Sequence, residues 1–349
     1  MKERIQIEQL NGIRGVGVFT VILDHAGFTG YFFWSFIDLF FVLSGFLITS
    51  ILLSQNKNNN YFQIFYTRRF LRLFPAFYIS LALSIIALQH VSQTQVLSIA
   101  TFTANIYMPF ADRSQVPPTF WALGPFWTLA MEEQFYLLWP LIVYRLQPKH
   151  LLWVCGLMIV SAPIFRGLAY QFLYLPQITN FDGVHMFTWN RMDLLAAGSA
   201  IAIVRHLQWF EPSALARYGA MLFGISATLI AVAVATMPDF RFSGHSFFFS
   251  TVGFSMFGGL VTGVIMYLAN SSSGPIVRLF SWKPIAYTGT ISYTIYLVHG
   301  AVLYTLEHTI GIHGSWRLAC TAFAISFMLA AVSWHVMELP IKNLKNRKL

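Results

Sequence analysis

Arg14 and His25 stand eleven residues apart in the first apolar stretch of the chain. Eleven helical steps make three turns plus about 20°, so both side chains fall on one stripe, about 16 Å apart along the axis. An imidazole held there can act as a general base near neutral pH, or as a nucleophile that carries an acyl group. Asp24 adjoins His25. Neighbours on a helix diverge by about 100°, so Asp24 is a poor orienter for that ring; it suits another partner or a water-filled cavity. Arg68-Arg69-x-x-Arg72 offers a second chemistry. Arg69 and Arg72 share a helix face, and paired guanidinium groups hold phosphate oxygens bidentately, although the same residues also read as a positive membrane flank.

Four further groups stand where an apolar solvent penalises charge. The block Trp127 to Tyr136 carries Glu132 and Glu133. Adjacent acids cannot share one partner, so one should bond inward while the other faces a cavity. Arg191 and Asp193 flank the start of a later apolar run and read as structural as readily as functional. Asp38 and His299 complete the set, with His299 reading first as a satisfied interior histidine. Glu338 precedes Pro340 and reads as a structural partner for a cytosolic base. Ionisable residues inside spans are functional candidates by default, because their burial is costly unless something uses it.

Helices must position these groups. The chain is 56% hydrophobic and 10% charged, with mean hydropathy +0.61; a soluble domain carries about 25% charged residues. In hydrocarbon only helix bundles and closed barrels satisfy the backbone, and apolar runs of about 20 residues favour helices over short alternating strands. The expectation is an all-α polytopic bundle of about ten spans, near 10–31, 34–53, 75–91, 125–146, 150–172, 189–205, 218–237, 247–269, 284–306 and 317–338. The short apolar segment 96–108 should lie at an interface. Pro75, Pro125 and Pro284 are each expected to open a span. Gly12, Gly15 and Gly17, the run Ala196 to Ala200, and Gly258, Gly259 and Gly263 read as packing stretches that let helices approach closely. Trp121, Trp127, Trp139, Trp153 and Trp316 read as interfacial anchors.

Lys and Arg test this reading. With a cytosolic N-terminus, one side of the ten-span arrangement carries 16 basic residues, and the other carries only Arg113, Arg166, Arg241 and Arg317. That asymmetry obeys the positive-inside rule and puts both termini in the cytosol. It also accounts for the net charge of +9 without nucleic acid. No repeat or linker is visible, so residues 1–349 read as one transmembrane domain. The first apolar run contains Arg14, Asp24 and His25 and does not read as a cleaved signal. Cys155 and Cys320 make neither a disulfide framework nor a metal spacing, and no metal site is expected. Gly12-x-x-Gly15-x-Gly17 lacks dinucleotide spacing, and no Walker loop, His-Glu-x-x-His or Gly-x-Ser-x-Gly occurs.

Taken together, the motifs resemble a known family. Leu10 to Gly15 through His25, the block Ile37 to Ile48, Phe65 through Arg69, Arg72 and Pro75, and the block Trp127 to Tyr136 occur in order. Arg191-Met192-Asp193, Ile291-Ser292-Tyr293 through His299, and Glu338-Leu339-Pro340 follow. In these the chain is similar to the acyltransferase family 3 membrane proteins, which O-acylate bacterial polysaccharides and related glycans. Asn11 stands where many relatives have Asp, Asp24 where many have an apolar residue, and Thr128 where Ser is frequent.

The resemblance implies a multi-pass protein of the bacterial cytoplasmic membrane, without the extracytoplasmic esterase-like domain of some relatives. It implies acetyl-CoA or another acyl-CoA as cosubstrate, with no permanently bound cofactor, and a hydroxyl of a surface or lipid-linked glycan as acceptor. On that reading His25, Glu132, Glu133 and Asp24 are the catalytic candidates. Arg14, Arg69 and Arg72 would bind acyl-CoA, and Asp38, Ser44, Arg191, Asp193, Tyr293 and His299 would support the site. Two other readings suit the composition: a glycolipid transporter or flippase, and an acyltransferase with a non-glycan acceptor.

Overall fold

A computed structural model describes residues 8–28, 33–55, 57, 60–112, 114–180, 182–237, 246–312 and 316–348. Lys2, Arg4, Arg113 and Arg241 lie outside the described residues. Among those described, every regular element is helical. In chain order they are α1 (Glu8–His25), α2 (Phe36–Ser54), α3 (Tyr61–Leu88), the short α4 (Gln93–Ala100) and α5 (Ala104–Phe110), α6 (Phe126–Arg145) and α7 (Pro148–Ala169). Then come the short α8 (Asp182–His185), α9 (Thr188–Leu207), α10 (Pro212–Thr236), α11 (Phe254–Asn270), α12 (Pro275–Phe280), α13 (Lys283–Thr290), α14 (Ser292–His308), α15 (Trp316–Ser333) and α16 (Leu339–Lys348). Five-residue π-helical stretches follow α7 (Tyr170–Tyr174), precede α11 (Phe249–Gly253) and join α15 to α16 (Trp334–Glu338).

Among the described residues, six helices are long and apolar enough to cross a membrane: Phe33–Ser54, Tyr61–Leu88, Pro148–Tyr174, Pro212–Thr236, Phe249–Asn270 and Trp316–Asn343. Each of the other four expected spans also coincides with helix, in α1, α6, α9 and the pair α13–α14. Three of those, α1, α6 and α9, carry Arg14 and Asp24, Glu132 and Glu133, and Arg191 and Asp193. These helices thus hold part of the candidate site, while Ser44 and Asp38 lie on α2 and Arg69 and Arg72 on α3.

Several expectations are corrected. Pro75 does not open a span: it lies inside α3, which begins at Tyr61. Pro125 does cap α6, and Pro284 falls in the first turn of α13. The expected span 284–306 is two helices that meet at Ile291. There Thr290 bonds the Ala286 carbonyl and Ser292 the Gly289 carbonyl. Such side-chain bonds compete with the helical ladder and bend it. Arg166 is not a loop charge; it is fully buried in α7. Trp139 is not an interfacial anchor, since it is buried and its indole N–H donates to Thr49 Oγ1 at 2.8 Å. Trp127 packs against Phe41 and lines a cavity.

Small residues bring the site helices together. A Cβ on Gly45 of α2 would run into the Leu195 carbonyl of α9, and one on Gly198 of α9 into the Val42 carbonyl of α2. On the other flank, Gly12 abuts the Phe280 carbonyl and Gly289 the Asn11 carbonyl. Backbones this close are what small residues permit in an apolar solvent, which offers no hydrophobic drive between helices.

Candidate active site

His25 is the last residue of α1 and faces a cavity of about 700 Å³, to which its ring is exposed. Asp24, Trp34, Trp127, Arg191 and Glu307 line the same space. The partner of His25 is His299 on α14. Nδ1 of His25 lies 2.9 Å from Nε2 of His299, with the rings nearly parallel at an interplanar angle of 16°. His299 is fully buried, and its Nδ1 lies 2.6 Å from the Tyr296 carbonyl oxygen. His299 is therefore more than an interior histidine satisfied by its own helix. Glu132 and Glu133 do not orient His25, since Tyr136 and Arg69 engage them elsewhere.

A second, smaller cavity of about 100 Å³ is lined by Arg14, Arg69, Arg72, Glu132 and Tyr293, with Ser44 and Tyr136 beside them. The Arg69 guanidinium carbon lies 3.2 Å from the centroid of the Tyr136 ring, and its Nε is 3.9 Å from Glu133 Oε1. Tyr136 Oη donates to Glu132 Oε2 at 2.9 Å, one turn back on α6. Ser44 hydrogen-bonds to both Glu132 and Tyr136. The two acids thus divide as adjacent residues on a helix must, Glu132 inward and Glu133 to Arg69. Among the described residues neither Arg14 nor Arg72 makes an ion pair within 4 Å, which leaves cationic capacity at the cavity. Glu338 also lines it, accepts from the Thr294 and Ser333 hydroxyls at 2.8 and 3.0 Å, and acts on Arg72 electrostatically, with no ion pair within 4 Å among the described residues.

Ile37 and Tyr296 line both cavities and form the wall between them. The Tyr296 hydroxyl is tied to the Thr128 hydroxyl at 2.9 Å and to the Pro125 carbonyl at 3.1 Å. Behind the histidine cavity lies a buried charge network. Arg191 pairs with Asp38, and Arg166 Nη1 with Asp193 Oδ2 at 3.0 Å. Arg166 also donates to the carbonyls of Asn190 and Thr251. These pairs join α2, α7, α9 and the π-helical lead into α11.

The structure thus gathers Arg14, Ser44, Arg69, Arg72, Glu132 and Tyr293 at one cavity. It gathers Asp24, His25 and Arg191 at the other, with His299 behind His25 and Glu133, Asp38 and Asp193 as partners of arginines. Sequence reasoning missed Tyr136, Thr128, Tyr296 and Arg166 as members. Arg166 carried a legible signal, a full charge inside an apolar run; the hydroxyls carried none, because Tyr and Thr are ordinary residues of apolar helices.

The family model for the acyltransferase domain of acyltransferase family 3 matches residues 7–336, and the chain belongs to this family. Among its relatives is the peptidoglycan O-acetyltransferase OatA of Listeria monocytogenes, 31% identical over 97% of this chain and 56% of that protein. The putative peptidoglycan O-acetyltransferase YrhL of Bacillus subtilis is 28% identical over 97% of this chain and 55% of its own length. The O-acetyltransferase OatA of Staphylococcus aureus is 26% identical over 96% and 57%. The chain therefore spans little more than half the length of these curated relatives. No solved structure matches the chain.

Proposed function

We propose that this protein is a membrane O-acetyltransferase that moves an acetyl group from cytosolic acetyl-CoA to a hydroxyl of a peptidoglycan-type glycan. The observation that carries the reading is the pairing of two adjoining cavities, one rimmed by Arg14, Arg69 and Arg72 and the other exposing His25. Guanidinium groups suit the phosphates of CoA. The extended pantetheine arm would pass Tyr296 and Ile37 and bring the thioester to His25. The acceptor enters the larger cavity, where Asp24 faces its hydroxyls. His25 takes the hydroxyl proton as the oxygen bonds to the thioester carbon; the C–S bond breaks, and the proton passes to the leaving thiolate. Base catalysis of this kind contributes about 10²–10⁴-fold.

The relatives named as peptidoglycan O-acetyltransferases support the acceptor class. The proposed topology is ten crossings of the bacterial cytoplasmic membrane with both termini in the cytosol. It rests on the asymmetry of Lys and Arg and would put the arginine cavity on the cytosolic side.

The test is acetyl-CoA turnover by purified protein, read as free thiol, with and without a peptidoglycan oligosaccharide. Thiol release by the wild type that falls by two or more orders of magnitude in His25→Ala supports the reading. Equal release by the two would remove His25 from the chemistry. No release with acceptor present would favour transport of a glycolipid over acyl transfer.

A further inference from the structure

His299 lines neither cavity, yet its ring spans the gap between a backbone carbonyl and His25. A carbonyl oxygen only accepts hydrogen bonds, so the contact at 2.6 Å puts the His299 hydrogen on Nδ1. A neutral imidazole carries one N–H, which leaves His299 Nε2 as an acceptor. The atom facing it at 2.9 Å is His25 Nδ1, which must therefore donate. The lone pair of His25 is then on Nε2, on the member of the pair that is exposed to the cavity. We infer that His299 is the positioning residue of the reaction: with Tyr296 it fixes His25 in the tautomer whose Nε2 is free to take a proton, and it shares the charge when the imidazolium forms.

This inference rests on the reading of His25 as the base. When the acceptor proton reaches His25 Nε2, the ring carries two N–H groups, and the bond from Nδ1–H to His299 Nε2 becomes charge-assisted and stronger. As the C–S bond breaks, the same proton leaves Nε2 for the thiolate sulfur, and His25 returns to its starting tautomer. The pair gains one proton from the hydroxyl and gives one to the thiolate, with no net change, and His299 keeps its own throughout. A ring that touches no reacting atom can thus decide the rate, because the other tautomer presents a hydrogen where a lone pair is needed. In an established case of this kind, loss of the orienting group leaves geometry intact and lowers kcat by about 10⁴-fold.

Two measurements test it on the full chain. In protein labelled with ¹⁵N-histidine, NMR distinguishes a bare Nε2 from a bare Nδ1, and the His25→Ala variant assigns the His25 signals. The expected result is a bare Nε2 on His25 in the wild type, with the preference lost in His299→Ala. In acetyl-CoA turnover, His299→Ala should lower kcat on the order of 10²-fold or more with little change in the KM for acetyl-CoA. His299→Gln, whose amide oxygen can accept from His25 Nδ1–H, should recover much of that loss. A wild-type His25 with its hydrogen on Nε2, or a His299→Ala enzyme with unchanged kcat, overturns the inference. If His299→Ala fails to fold, the wild-type spectrum decides alone. If the wild type releases no CoA, the acyl-transfer reading fails, while the spectrum still reports the tautomer.

Discussion

The guanidinium of Arg69 stacks on the ring of Tyr136 at 3.2 Å, while the hydroxyl of that ring holds Glu132 at 2.9 Å. One tyrosine thus positions both a cation and an acid at the smaller cavity. A planar guanidinium stacks and binds oxygen pairs where an ammonium cannot. Arg69→Lys is therefore expected to behave like Arg69→Ala, raising the KM for acetyl-CoA by about 10–100-fold, the worth of a charged hydrogen bond of about 1.5–3 kcal/mol. Steady-state thiol release against acetyl-CoA concentration checks this; a normal KM in Arg69→Lys would mean that only charge matters there.

Tyr296 separates the two cavities through a side chain anchored to Thr128 and Pro125. Tyr296→Phe keeps the ring as a wall and loses the anchors, for a stability loss of about 0.5–1.5 kcal/mol per bond. Tyr296→Ala removes the wall. In sealed proteoliposomes it should let a small polar reagent added on the arginine side modify His25 faster than in the wild type, where the ring restricts the passage that the pantetheine arm would use. Equal rates of modification in both proteins would show that Tyr296 does not restrict that passage.

Much of this arrangement was legible from the residues, and what was not has a physical reason. Arg14 and His25 lie on one helical stripe by spacing alone, and each lines a cavity. The glycines Gly12, Gly45, Gly198 and Gly289 mark contacts between backbones, and the small-residue stretches pointed to that role for Gly12 and Gly198. The partner of His25 was not legible, because His299 lies 274 residues away and only the approach of α14 to α1 brings it near. Pro75 misled for a local reason: a proline usually starts a helix, but packing on both sides holds α3 together through it. In sequence Arg166 groups with the charges of the far side although it falls inside the expected span 150–172, and its partner Asp193, on another helix, could not be read from spacing.

That Arg166–Asp193 pair supports a stability prediction. Both groups are buried, so removing one strands the other in an apolar interior. Asp193→Ala should cost about 3–5 kcal/mol. Replacing both with apolar residues of similar volume, as in Arg166→Met with Asp193→Leu, should recover most of that loss, because the desolvation of two charges disappears with them. Thermal unfolding in detergent, followed for the single and double variants, measures the coupling. A double variant no better than Asp193→Ala would assign the loss to the hydroxyl and carbonyl partners of Arg166 instead.

Glycine substitutions separate packing from propensity. Gly156 in α7 has open space around the position of a Cβ, whereas a Cβ on Gly198 would meet the Val42 backbone of α2. An alanine gains helix propensity of about 0.8–1.0 kcal/mol over glycine wherever it fits. Gly156→Ala should therefore be neutral or stabilising and fully active. Gly198→Ala has the same intrinsic gain but must push α9 from α2, where a backbone carbonyl cannot turn aside as a flexible side chain can. That shift would pull Arg191 on α9 from Asp38 on α2, so Gly198→Ala should lose both stability and thiol release. Melting temperature and turnover measured on the two variants together give the answer, and an active, stable Gly198→Ala would mean that the two helices pack less closely than described.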